Sequence, residues 1–404
     1  MRRHCRRGLG RLIAAVVVAA GLEAAPAAAA DLEVPITYVR QEVAKLSPLS
    51  LLEPREVPDE GLAGAALGIA DNQTTGGFLG HDYSLIEVLV PEDGDLLAAV
   101  RERLAAGDRL IVADLAGDAL VAVADLAAAE GALVFNARAQ DDGLRTDACR
   151  ENLFHTIPSR AMKADALAQY LIWKRWTRWF LIHGEQPGDL AFADALRRAA
   201  TKFNGRIVEE RVYGYDPTAR RTDTGHVQVQ RQLPVFTQNA PDHDVVLVAD
   251  ESEIFGEYLP YRTWDARPVA GTQGLVPTAW HRAHEQWGGT QMHSRFERHA
   301  GRWMRERDYT AWMAVRAIGE AVTRTGSNEP KVIREYLRGD EFQLAAFKGE
   351  GLTFSLWYQQ LRQPILLAAA RSLVSVSPQE AFLHQRTPLD SLGYDEPESR
   401  CRLQ

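Results

Sequence analysis

Asp244-Val245-Val246-Leu247-Val248-Ala249-Asp250 is an unbroken apolar run closed by an acid at each end. A strand with one wet face alternates apolar and polar residues. A run that is apolar at every position has both faces covered, as in parallel sheets lying between helices. Leu110-Ile111-Val112-Ala113-Asp114 has the same design and the same closing Ala-Asp. Leu133-Val134-Phe135-Asn136, Trp179-Phe180-Leu181-Ile182-His183 and Arg206-Ile207-Val208-Glu209-Glu210 read as further strands. Helices are expected between them over about 118–130, 160–173 and 188–203, the last stopped by Asn204-Gly205. Strands alternating with helices predict the α/β class, and right-handed crossovers make each unit doubly wound.

These units are too many for one sheet of ordinary size, so two α/β lobes are expected. The first takes 31–157 with 273–335, the second 158–272 with 336–376, and 377–404 forms a C-terminal tail. Residues 1–30 read as a signal peptide cleaved on export to the periplasm. Arg2, Arg3, Arg6, Arg7 and Arg11 precede the short apolar stretch Leu12–Leu22, and Ala28-Ala29-Ala30 stands before Asp31. Cys5 lies upstream of that stretch and so does not suit a lipid anchor. The formal charge is −8, and losing the arginine-rich leader makes the chain more acidic, which argues against nucleic acid as a partner. Cys149 and Cys401 remain after processing. In an oxidising compartment they are a disulfide candidate, although sequence does not establish their proximity. The chain is expected to be a monomer.

Ligands of open parallel sheets sit beyond the carboxyl ends of the strands, so the residues closing each strand carry most weight. They are Asp114 with Asp118 just beyond, Asn136 with Arg138, and Asp250 with Glu251 and Glu253. Asp114 and Asp250 could equally cap the helices that follow. Asp141, Asp142 and Glu253 are weak candidates for an oxygen-rich metal site, without the spacing of a calcium-binding loop. Tyr213 and Trp280 are candidates for stacking on a planar ligand, against the plainer reading of core packing. His281 and His284 are expected on one helix face. No Gly-x-Ser-x-Gly elbow, phosphate-binding Gly-rich loop with Lys, His-Glu-x-x-His or Cys-x-x-Cys occurs, so binding is expected rather than catalysis, with no cofactor.

Longer segments add a resemblance. Gly64-Ala65-Ala66-Leu67-Gly68-Ile69-Ala70-Asp71-Asn72-Gln73-Thr74-Thr75-Gly76, Phe135-Asn136-Ala137-Arg138 with Asp141-Asp142, Ile157 to Leu171, Gln363-Pro364-Ile365-Leu366-Leu367 and Leu389-Asp390-Ser391-Leu392-Gly393-Tyr394-Asp395 carry it. The chain resembles the periplasmic branched-chain amino acid binding proteins over nearly all of 31–375. It is most similar to a substrate-binding-protein-like group encoded with pyrroloquinoline quinone (PQQ)-dependent alcohol dehydrogenase systems. The resemblance implies the type I periplasmic binding protein fold, two Rossmann-like lobes joined by three crossovers that close on a ligand. It implies an ABC permease and ATPase as partners, a link to the dehydrogenase system, and a lanthanide, PQQ or a related metabolite as ligand. A periplasmic ligand sensor or accessory protein of that system is the alternative. Amino acid binders usually carry a hydroxyl-rich loop where Asp114-Leu115-Ala116-Gly117-Asp118 stands, so the usual α-amino acid pocket is not expected to be retained.

Overall fold

A computed structural model describes residues 31–43, 57–214 and 225–403. The expected signal peptide lies outside them. The first part runs β1 (Leu32–Gln41), α1 (Leu62–Gly76), β2 (His81–Val90), α2 (Leu96–Ala105), β3 (Leu110–Asp114), α3 (Gly117–Ala129), β4 (Leu133–Asn136) and β5 (Leu153–His155). Then follow α4 (Arg160–Trp173), β6 (Arg178–His183), α5 (Pro187–Phe203), β7 (Arg206–Val212), α6 (Gly225–Phe236), β8 (Val245–Ala249), α7 (Leu259–Arg262) and β9 (Val269–Gly271). The last third holds β10 (Val276–Thr278), α8 (Gly289–Ala300), α9 (Glu306–Thr325), α10 (Pro330–Leu337), β11 (Leu344–Ala345), β12 (Gly351–Leu352), β13 (Ile365–Ala369) and β14 (Ser372–Ser377).

Two parallel sheets result, ordered β2-β1-β3-β4-β5 and β7-β6-β8-β9. The unbroken apolar runs explain them. Along β3, Leu110 and Val112 face the cluster holding α1 and α9, whereas Ile111 and Ala113 face α2 and α3. Along β8, Val245 and Leu247 pack with α4 and α5, whereas Val246 and Val248 face α6 and α7. Each sheet is thus sandwiched between helices, as the uniform burial of both strands requires.

The chain passes between the two cores three times: from Phe154 to Met162, from Ala270 to Ala279, and from Leu361 to Ile365. These crossings are laced by buried amides. Gln360 Nε2 donates to the carbonyls of His155 and Ile157, at 3.2 and 3.0 Å, and Gln363 Nε2 donates to that of Thr156 at 2.8 Å. Residues 336–361 were expected in the second lobe, but Leu337, Phe342, Leu344, Leu352 and Phe354 pack into the first core. Only from β13 onward does that stretch join the second core. The tail folds down: Leu392 enters the second core, and Cys401 is bonded to Cys149 across a separation of 252 residues.

Candidate functional site

In each sheet, chain order reverses direction at one place, between β1 and β3 in the first and between β6 and β8 in the second. Connections leave these neighbouring strands on opposite faces, so a crevice opens at their carboxyl ends. At the first switch point Arg40 of β1 pairs in register with Asp114 of β3. Asp114 is 1 % exposed. Its Oδ2 accepts from Tyr38 Oη at 2.8 Å and lies 3.9 Å from Arg40. Its Oδ1 accepts no hydrogen bond, although Arg138 and Arg307 stand 3.7 and 3.6 Å away. Burial and the Asp114 charge push the Tyr38 hydroxyl well up, so it remains the donor. Backbone crosses over this pair at Gly61, whose φ of +84° and closeness to the Tyr38 hydroxyl leave no space for a side chain.

Arg138 is posed by Asn136, the buried residue that closes β4. The Asn136 Oδ1 accepts from the backbone N–H groups of Arg138 and Ala139 at 3.1 and 2.8 Å, and its Nδ2 donates to the Ala139 carbonyl at 2.7 Å. Asn136 therefore builds the turn that carries Arg138. Asp118 is exposed in the first turn of α3, where the helix dipole favours an acid.

Asp250 closes β8 at the second switch point and is fully buried. Its carboxylate accepts from the backbone N–H groups of Ile254, Phe255 and Gly256 at 3.0, 2.8 and 2.6 Å, and from Ser252 Oγ at 3.0 Å. Asp250 is thus spent on the backbone of the turn that follows β8 and is the N-cap of neither short helical turn beyond it. Asp114 meets cations instead of amides. Glu251 accepts two hydrogen bonds from Arg160 at 2.8 and 2.7 Å, and the same guanidinium reaches Asp141 at 3.2 Å. Arg160, the first residue of α4, thereby ties the loop after β4 to the edge of the second sheet. Asp142 accepts from the Ala161 N–H at 3.0 Å, and burial pushes its carboxyl up.

Between the two edges lies a cavity of about 350 Å³, lined by Gln140, Lys163, Glu251, Glu253, Gln273 and Glu306 among others. Lys163 and Glu306 pair across it at 2.6 Å. Asp250 touches this cavity. Asp114 does not line it, and the contacts of the two aspartates share no residue.

Among the described residues, no group of three or more His, Cys, Asp or Glu side chains is placed to share a metal ion. Asp141, Asp142 and Glu253 are not gathered around one point, because Asp141 is spent on Arg160 and Asp142 on the start of α4. Tyr213 is 4 % exposed, stacked on Phe255 at 4.6 Å and bonded to Gln232. Trp280 is 2 % exposed and stacked on Tyr309 at 4.5 Å. Both are core residues in this state. His281 and His284 sit in a turn ahead of α8 and not on a helix. Arg40, Arg160, Lys163 and Arg307 were missed. For Arg40 the signal was present, a lone cation closing the otherwise mostly apolar Ile36–Val39 run. Arg160 and Arg307 stand at the head of their helices, a place whose meaning depends on what the helix faces.

Residues 57–232 match the model of a family described as periplasmic binding protein. A search of the curated proteins gives no match. Among solved structures, a branched chain amino acid ABC transporter periplasmic ligand-binding protein from Burkholderia xenovorans LB400 aligns over 92% of this chain and 99% of its own, with TM-score 0.68 and 15% identity. A leucine-, isoleucine-, valine-, threonine- and alanine-binding protein from Brucella ovis, in its closed conformation, covers the same shares with TM-score 0.65 and 13% identity. An ABC transporter substrate-binding protein from Desulfitobacterium hafniense in complex with Leu covers 86% and 99%, with TM-score 0.63 and 16% identity. The shared architecture is the type I periplasmic binding protein fold.

Proposed function

We propose that this chain, built on the fold of periplasmic solute-binding proteins, is the periplasmic solute-binding component of an ABC importer. One observation carries the reading: each of two parallel sheets has a switch point at its carboxyl edge, and a polar cavity of about 350 Å³ adjoins that of the second sheet. The likeness is to solute-binding proteins and not to enzymes. A permease and an ATPase are the partners this role requires.

The link to PQQ-dependent alcohol oxidation rests on the sequence segments, and it makes PQQ, a lanthanide ion or a related metabolite the candidate cargo. Of these, an organic anion suits the site better than a bare cation. Of the acids at the cavity, Glu251 is paired with Arg160, Glu306 with Lys163, and Asp250 is committed to backbone amides, whereas cations gather at the edge of the first sheet.

The test is a thermal-shift and calorimetric panel of PQQ, lanthanum chloride, L-leucine and glycolate against the purified chain. Binding stabilises the native state by mass action, by about 2.7 kcal/mol at a hundredfold excess over Kd. A raised melting temperature with one of these supports the solute-binding role. No shift with any of them at millimolar concentration counts against it.

A further inference from the structure

The tail that follows β14 is held by both lobes at once. On the second lobe, Asp165 of α4 is fully buried and accepts from Arg198 and Lys202 of α5. It also accepts from the backbone N–H of Gly393 in the tail, at 2.9 Å. The Gly393 carbonyl in turn accepts from Arg198 and Lys202 at 2.7 and 2.8 Å, and Gln169 of α4 donates to Ser391 at 2.8 Å. On the first lobe, the loop between β4 and β5 takes the end of the tail. There Ser399 Oγ donates to the Arg145 carbonyl at 3.1 Å, Arg400 pairs with Asp147 at 2.6 Å, and Cys401 is bonded to Cys149.

The two sets of contacts leave no slack between them. Glu398 accepts from Arg198 of the second lobe at 2.8 Å, and the very next residue, Ser399, bonds to the first lobe. Neighbouring Cα atoms are about 3.8 Å apart, so the chain cannot lengthen at this point when the lobes move apart. Tyr394 is shared in the same way. The Arg198 guanidinium lies 4.2 Å from the centre of its ring. Its carbonyl accepts at 3.2 Å from Trp357, which stands between Phe354 and Leu361 of the first core.

The two ends differ in kind. The end on the first lobe is covalent and cannot let go while the disulfide is intact. The end on the second lobe is held by hydrogen bonds and ion pairs. Releasing it strips the buried Asp165 carboxylate of its backbone donor, a loss that buried acceptors resist. The tail also touches the third crossing, where Arg362 donates to Asp390 at 2.5 Å.

We infer that the tail is a strap, a fourth link between the lobes beside the three crossings, and that it restricts how far they swing relative to each other. Its covalent end makes that restriction depend on the oxidised state of Cys149 and Cys401. From the solute-binding reading the inference takes only that the lobes move, and it adds what limits the movement.

The test measures the spread of interlobe distances in the whole chain with no solute added. Nitroxide labels are carried on keto amino acids placed at Asp118, exposed at the head of α3, and at Glu185, exposed beyond β6, so that the cysteines are left to pair. Pulsed electron double resonance then reads the distance distribution across the cleft. The wild type is expected to give a narrow distribution. The double variant Cys149→Ser with Cys401→Ser is expected to give a broader one, and so is Arg198→Ala with the disulfide intact.

A tail that only adds stability would lower the melting temperature of the double variant without moving the distribution. An unchanged distribution in the folded double variant therefore overturns the strap and leaves the solute-binding role standing. Should that variant fail to fold, as judged by its melting curve, Arg198→Ala decides in the same way. Failure of the solute panel above leaves the strap standing, because no solute takes part in this measurement.

Discussion

A single buried amine shows how much one side chain contributes. Lys348 donates to the carbonyl of Pro364 at 3.1 Å and to that of Ala279, inside the first core, and burial pulls its amine down to about 7. A lysine lowered on folding binds fewer protons in the native state than in the unfolded one between pH 7 and its ordinary value near 10.5. Stability from this group is therefore least below pH 7 and rises as pH climbs from 7 toward 10. The full effect is on the order of a few kcal/mol. Urea titrations of wild type and Lys348→Met across that range should differ in slope, the wild type gaining stability and the variant staying flatter. Parallel curves would mean that the amine is not desolvated as described. Nothing in the sequence around Lys348 distinguishes it from a surface lysine, because its partners are the carbonyls of Ala279, 69 residues before it, and Pro364, 16 residues after it.

At the scale of the element, the turns after β4 and β8 decide what the sheet edges present. Asn136 and Asp250 look alike in sequence, short polar residues closing an apolar strand, and both are spent on their own backbone. Asp250 satisfies three N–H groups of the following segment. Removing it leaves those donors buried and unpaired. Asp250→Ala should therefore cost about 2–4 kcal/mol in urea unfolding. The weight of that loss should fall on the second core, read from hydrogen exchange in β8 and the turn after it. A variant as stable as wild type would argue that the turn does not depend on this carboxylate. Asp114 stands in the matching place of the other lobe and meets arginines instead. The difference was not legible from its Ala-Asp ending, since the cations come from β1, from beyond β4 and from α9.

At the scale of the molecule, two cores joined by three crossings are fastened from outside by the tail. Cys149 belongs to the loops of the first lobe, and Cys401 lies near the chain's end. Between them the tail contacts the second lobe, where Arg198 donates to Glu398 at 2.8 Å and Leu392 enters the core. Closing so long a loop restricts the unfolded chain, and Cys401→Ser should lower stability by about 2–4 kcal/mol. Limited proteolysis should then clip the tail of the variant first. Equal stability and equal resistance under non-reducing conditions would show that packing alone holds it.

Period and composition were enough for the architecture. Strands apolar on both faces, alternating with Ala-rich helices, admit few packings other than parallel sheets between helices, and β3, β4, α4 and β8 lie within a residue or so of where their sequences place them. That information is local, since each strand states its own burial. What faces the cleft is not local. Two cores share residues 336–376, Trp280 and Tyr213 point into packing, and Asp250 turns back on its own chain. Arg40, Arg138 and Arg307 meet because three parallel strands and one distant helix end on the same edge. The sequence determined five of these strands, β3, β4, β6, β7 and β8, and that both faces of the unbroken apolar ones are covered, but not β1 or β2. Only the tertiary structure decided which charges those strands bring together, because Coulomb forces act through space between residues that the chain keeps far apart.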